Sequence, residues 1–93
     1  MKEFWKNKKV LITGHTGFKG SWLSYWLQIM GAEICGISLK PDKLSLFNQL
    51  ELSKKIERNH IIDINNLEEI KLVVNEFNPD IVFHLAAQSL VIK

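Results

Sequence analysis

The stretch Val10-Leu11-Ile12-Thr13-Gly14-His15-Thr16-Gly17-Phe18-Lys19-Gly20 decides how the rest of the chain is read. An apolar, β-branched run stops at a loop with glycine at every third position. An apolar segment with helical spacing, Ser21 to Met30, follows at once. Strand, glycine turn and helix in that order is the setting in which a dinucleotide fingerprint has physical meaning. One glycine allows the tight turn out of the strand, and a second admits backbone N–H groups to a pyrophosphate with no Cβ between. A third lets the helix pack close to the sheet with its N-terminus aimed at the phosphates. Gly14, Gly17 and Gly20 take those roles in turn. A P-loop requires G-x-x-x-x-G-K-[ST], and Lys19-Gly20-Ser21 transposes the lysine and the glycine, so that reading is rejected.

Composition sets the outer bounds. A length of 93 residues allows one small domain, and 46% apolar with 24% charged residues is the ordinary soluble range. A net charge of +2 is too small to imply a nucleic-acid partner. Lys2, Lys6, Lys8 and Lys9 precede only Val10 to Ile12 before Gly14, which is too short for the core of a signal peptide. No stretch approaches the ~20 apolar residues of a membrane span. The single cysteine, Cys35, forbids an internal disulfide and reads as a small core hydrophobe. No His, Cys, Asp and Glu cluster has metal-ligand spacing, so no metal is expected. The expectation is a cytoplasmic protein without membrane or nucleic-acid partners.

The chain then alternates. Met1 to Asn7 is a polar lead in which Phe4 and Trp5 cover the lower edge of a sheet. Lys9 to Thr13 is a strand buried on both faces, as its unbroken apolar run implies. Gly17 to Met30 is a helix whose stripe of Trp22, Leu23, Trp26, Leu27 and Met30 faces the core. Ser21, Ser24, Tyr25 and Gln28 turn outward, and Gly31 ends the helix at C′. Glu33 to Ser38 is the second strand, Leu46 to Leu50 a short helix, and Asn59 to Asp63 the third strand. Asn65 or Asn66 caps a helix that Asn78-Pro79-Asp80 stops, and Asp80 to Ala86 is the fourth strand. Such an order predicts an α/β Rossmann-type doubly wound parallel sheet, its N-terminal half, incomplete, with strand order 3-2-1-4. Ligand then lies across the carboxyl ends of the strands, at Gly14–Gly20, Ser38–Lys40, Asp63–Ile64 and Ala86–Gln88.

The G-x-x-G-x-x-G spacing after threonine resembles the extended branch of the short-chain dehydrogenase/reductase superfamily. Asp63-Ile64 resembles that family's acidic dipeptide at the adenine. His84-Leu85-Ala86-Ala87-Gln88 resembles its H-x-A-A segment under the nicotinamide ribose. The longer run from Gly14 to Leu23, with Ser45-Leu46-Phe47, narrows the resemblance to the sugar-nucleotide 4,6-dehydratases. Another nucleotide-sugar epimerase or dehydratase is the alternative, and a non-catalytic dinucleotide sensor is the competing class.

The resemblance implies NAD as cofactor, a nucleotide-sugar substrate and a homo-oligomer. It implies cofactor contacts at Gly14, Thr16, Gly17, Phe18, Lys19, Gly20, Ser38, Lys40, Asp63, Ile64, Leu85, Ala86, Ala87 and Gln88. The implied reaction moves hydride from the sugar C4 to NAD, eliminates water across C5 and C6, and returns the hydride to C6. Its base is the tyrosine of a Tyr-x-x-x-Lys pair. Here the one tyrosine is Tyr25, with Ile29 four residues on, so the 93-residue chain carries no catalytic residue and is expected to be inactive alone. After the second strand the usual acid for the ribose is replaced by Leu39 and Lys40, which leaves NAD and NADP both open from the residues themselves. His15 is read either as a phosphate contact or as a solvated loop residue, and Lys19 likewise. His84 is read as a hydrogen-bonded core histidine.

Overall fold

The computed structural model describes residues 2–41, 43–63 and 65–85. Strands β1 (Lys9–Thr13), β2 (Glu33–Ser38), β3 (Arg58–Ile61) and β4 (Ile81–His84) form one parallel sheet in the order β3-β2-β1-β4. Both the parallel pairing and the order are those the element sequence predicts. A single turn of helix, α1 (Lys2–Trp5), precedes the sheet, and α2 (Phe18–Ile29) joins β1 to β2. The short α3 (Leu46–Gln49) and a 3-10 turn at Leu52–Lys54 lead to β3, and α4 (Leu67–Phe77) crosses from β3 to β4.

Alternation along β1 sends its side chains into two cores. Val10 and Ile12 pack with Leu27, Ile34, Phe47, Leu52 and Ile56 on the face carrying α2 and α3. Leu11 packs with Cys35, Ile37, Val73 and Phe77 under α4. Both faces are therefore covered, which is why β1 and β2 are buried almost end to end. Asp80 locks the entry of β4. Its N–H donates to the Lys9 carbonyl at 2.7 Å, and its carboxylate accepts the Lys9 N–H at 2.9 Å. Asn66 caps α4 by accepting the Glu69 N–H at 3.3 Å, and its amide returns a bond to the Glu69 carboxylate at 2.9 Å. Asn78, at φ 52, ends the helix in the left-handed region ahead of Pro79. Gly31, at φ 93, ends α2 as expected.

Three expectations are corrected. First, α2 turns its other face inward. Ser21 and Ser24 are fully buried, whereas Trp22 is 50% and Trp26 56% exposed, and Tyr25 lies half-buried against the core. The cause is proximity, because α2 springs directly from the glycine turn. A Cβ on Gly20 would overlap the Gly14 carbonyl, so only small side chains fit on the facing side. The buried hydroxyls are satisfied locally: Ser21 donates to the His15 carbonyl at 2.9 Å and Ser24 to the Gly20 carbonyl at 2.7 Å. Second, β3 begins at Arg58 and ends at Ile61, so Asp63 lies past the strand. Third, Trp5 packs on the core as expected, but Phe4 stands exposed.

Candidate functional site

The glycine loop is shaped by two different constraints. Gly14 sits at φ 83, a conformation that costs an L side chain roughly 1–2 kcal/mol. Gly20 sits in ordinary helical backbone but has no room for a Cβ. Gly17 has neither restriction. Its φ is −76, and an added Cβ would meet only the Gly14 carbonyl at 3.5 Å, an ordinary contact. The fold therefore does not require glycine at 17, and the open space above it is what remains to explain.

Helix α2 starts at that space without a cap. Gly17 is the N-cap, no side chain bonds the first turn, and no acidic residue stands there. The first intrahelical bond runs from the Ser21 N–H to the Gly17 carbonyl at 2.8 Å, so the amides of Phe18, Lys19 and Gly20 have no partner within the helix. Those orphan amides and the positive end of the helix dipole suit an anion. The residues present fit the pyrophosphate of a dinucleotide.

Two clefts open on either side of the loop and share Gly17 and Phe18 as their common wall. The larger, about 560 Å³, runs between Thr16 and the segment Lys40–Pro41 and Leu44–Leu46, with Gln49 at its floor. The smaller, about 280 Å³, is bounded by Gly14, Lys19, Gly20 and Leu85. Thr16, Phe18, Lys19, Lys40 and Leu85 thus come together at the carboxyl edge. Leu85 is held there by its N–H bond to the Thr13 carbonyl at 2.9 Å. Thr16 and Ser38 are bonded to each other at 2.7 Å, and Thr16 also donates to the Leu39 carbonyl at 3.0 Å. Asp63 lines neither cleft: its carboxylate accepts the Asn65 N–H at 2.9 Å. Ile64, Ala86, Ala87 and Gln88 lie outside the described residues.

His15 departs from both of its sequence readings. It is fully buried, neither solvated nor turned to the phosphate space. Its ring occupies the volume that a Cβ on Gly36 would fill, stands edge-on to Phe47 at 5.2 Å, and pairs through Nε2 with the Asn59 side chain at 2.7 Å. Burial pulls its pKa below the usual histidine value, partly offset by the Asn59 bond. The loop motif and Ser45-Leu46-Phe47 thus meet in space, about a contact that sequence reading had missed. The visible signal was a glycine at 36 inside an otherwise bulky buried strand. His84 is hydrogen-bonded as expected, through Nδ1 to Thr13 at 2.6 Å, but it stands exposed on the outer strand. Tyr25 lies beneath the Lys55 ammonium at 5.1 Å and in neither cleft. No cluster of metal-ligating side chains occurs among the described residues, and no helix there is long and apolar enough to cross a membrane.

A parallel sheet ordered 3-2-1-4, with a glycine-rich turn into an uncapped helix beside its central strand, is the N-terminal half of a Rossmann-type fold. Within that class the chain belongs to the GDP-mannose 4,6 dehydratase family, whose model matches residues 11–93. It is 52% identical over 91 residues to a CDP-glucose 4,6-dehydratase of Salmonella typhimurium, covering 97% of this chain and 25% of that protein. A probable dTDP-glucose 4,6-dehydratase of Sinorhizobium fredii is 36% identical across 87% of this chain, and a GDP-mannose 4,6-dehydratase of Vibrio cholerae is 36% identical across 89%. The chain spans about a quarter of the length of these curated relatives.

Proposed function

We propose that residues 1–93 form the first part of the dinucleotide-binding domain of a sugar-nucleotide 4,6-dehydratase, with NAD as cofactor and CDP-glucose as substrate. The observation that carries the cofactor reading is the uncapped start of α2 over an unrestricted Gly17. The substrate reading rests on the likeness to the Salmonella enzyme. When bound, NAD supplies the hydride acceptor and donor of the reaction. The chain's own part is to bind and orient. The amides of Phe18, Lys19 and Gly20 take the pyrophosphate, and the Lys19 ammonium adds charge at the mouth of the smaller cleft. The adenosine half occupies the larger cleft, and the nicotinamide half passes Leu85. The general base and the substrate-binding segments come from the remainder of a longer protein.

Gly17 gives a clean test, because the fold tolerates a Cβ there. In the intact protein, Gly17→Val should keep its thermal midpoint within the range of a neutral surface change, about 0.5 kcal/mol, yet lose calorimetric NAD binding. The 93-residue chain alone should give no turnover of CDP-glucose with NAD. Gly17→Val binding NAD as well as the parent would overturn the site assignment.

A further inference from the structure

We propose that Lys40 makes the larger cleft receptive to a 2′-phosphate, so that the protein takes NADP at least as readily as NAD. The inference rests on the dinucleotide reading of that cleft and adds the property that distinguishes the two cofactors. In this architecture the residue following β2 meets the adenosine ribose. An acid there accepts from the 2′-OH and repels a 2′-phosphate, whereas a base does the reverse. Lys40 stands two residues past the end of β2 and is the one charged side chain among the described residues that line the cleft. No carboxylate shares that lining, and among the described residues none pairs with the Lys40 ammonium.

The placement of Lys40 is not that of a loose surface lysine. Thr16 bonds both the Ser38 hydroxyl and the Leu39 carbonyl, so the backbone leading into Lys40 is tied to the phosphate loop itself. Pro41 then restricts the chain on the far side. Ser45 adds a neutral hydroxyl to the same cleft. Its oxygen already accepts the Asn48 N–H at 3.3 Å, which leaves its hydrogen to donate. A phosphomonoester is close to a dianion at neutral pH, and a compact ammonium plus a hydroxyl donor is the donor set it needs.

The test is calorimetric titration of the intact protein with NAD, NADP, 5′-AMP and adenosine 2′,5′-bisphosphate. At low salt the bisphosphate should bind about tenfold more tightly than AMP, and NADP at least as tightly as NAD. The advantage should shrink toward ~1 M NaCl, where the screening length falls to roughly 3 Å. Lys40→Asp should weaken NADP by about tenfold or more and leave NAD within about threefold, while Lys40→Arg keeps the parent order. Lys43→Gln, outside the cleft, should leave the NADP-to-NAD ratio unchanged. NAD binding with NADP clearly weaker, or a ratio indifferent to Lys40→Asp, overturns the proposal while the site reading stands. An equal shift from Lys43→Gln would assign the effect to the diffuse field and overturn it too. Binding of neither dinucleotide removes the site reading and the inference together.

Discussion

His15 owes its position to an absence. With any side chain at 36 the imidazole has nowhere to lie, and with the imidazole gone the glycine loop loses its tether to Asn59 and Phe47. Gly36→Ala is therefore expected to destabilise the protein by about 1–3 kcal/mol, the usual penalty for overfilling a packed interior. A second change, His15→Ala, should recover part of that loss, and denaturant unfolding of the two single variants and the double variant measures it. Protonation gives an independent check. The folded pKa of His15 is depressed, so the unfolded chain takes up a proton near pH 6.5 while the native state resists it. His15 thus adds stability above that pH and withdraws it as pH falls toward the folded value. Thermal midpoints at pH 7.5 and 5.5 should differ more for the parent than for His15→Gln. Cys35, whose thiol burial pushes up to about 11, should resist iodoacetamide until the protein unfolds.

At the scale of the element, α2 separates helix amphipathicity from helix packing. Its inward face is Gly20, Ser21, Ser24 and Leu27, while Phe18, Trp22, Trp26 and Ile29 run along the outside. Replacing both Trp22 and Trp26 with Gln should leave stability within about 1 kcal/mol, since neither ring is buried, whereas Leu27→Ala should cost about 2–5 kcal/mol. Chemical denaturation of the two variants decides which face is inside. This is also where sequence reading reached its limit. The strands, their order and the short Leu46 helix were legible, because apolar runs between glycine and proline punctuation need no tertiary information. The orientation of α2 was not. Hydrophobic periodicity ranks faces by what they gain from burial, and here the distance to the sheet, set by Gly20 against Gly14, rules by volume. Within the site, Thr16, Phe18, Lys19 and Lys40 were legible because strand ends and the glycine spacing mark them. His15 was not, because its partners Gly36, Phe47 and Asn59 come from three other elements.

For the whole molecule the exposed margin is β4. It pairs only with β1 among the described residues, Val82 is 53% exposed, and Ile81 and Phe83 are only partly covered. An apolar edge with free backbone groups is a template for pairing with another chain. The 93-residue chain by itself is expected to self-associate, its sedimentation coefficient rising with concentration. A single boundary at the 10.8 kDa monomer, with a cooperative melt above ~65 °C, would show that edge to be protected.

The pair of hydroxyls at Thr16 and Ser38 has a consequence for how such a molecule changes over time. Thr16 spends its only hydrogen on the Leu39 carbonyl, so Ser38 must be the donor to Thr16, and the phosphate loop and the end of β2 are spliced through two protons. What lies beyond the splice, residues 39–44, is free to be exchanged as a cassette without disturbing the phosphate loop, provided a hydroxyl remains at 38. Cofactor preference is then a transplantable trait of this lineage, altered by grafting six residues, while loss of the Ser38 hydroxyl would loosen both halves of the site at once.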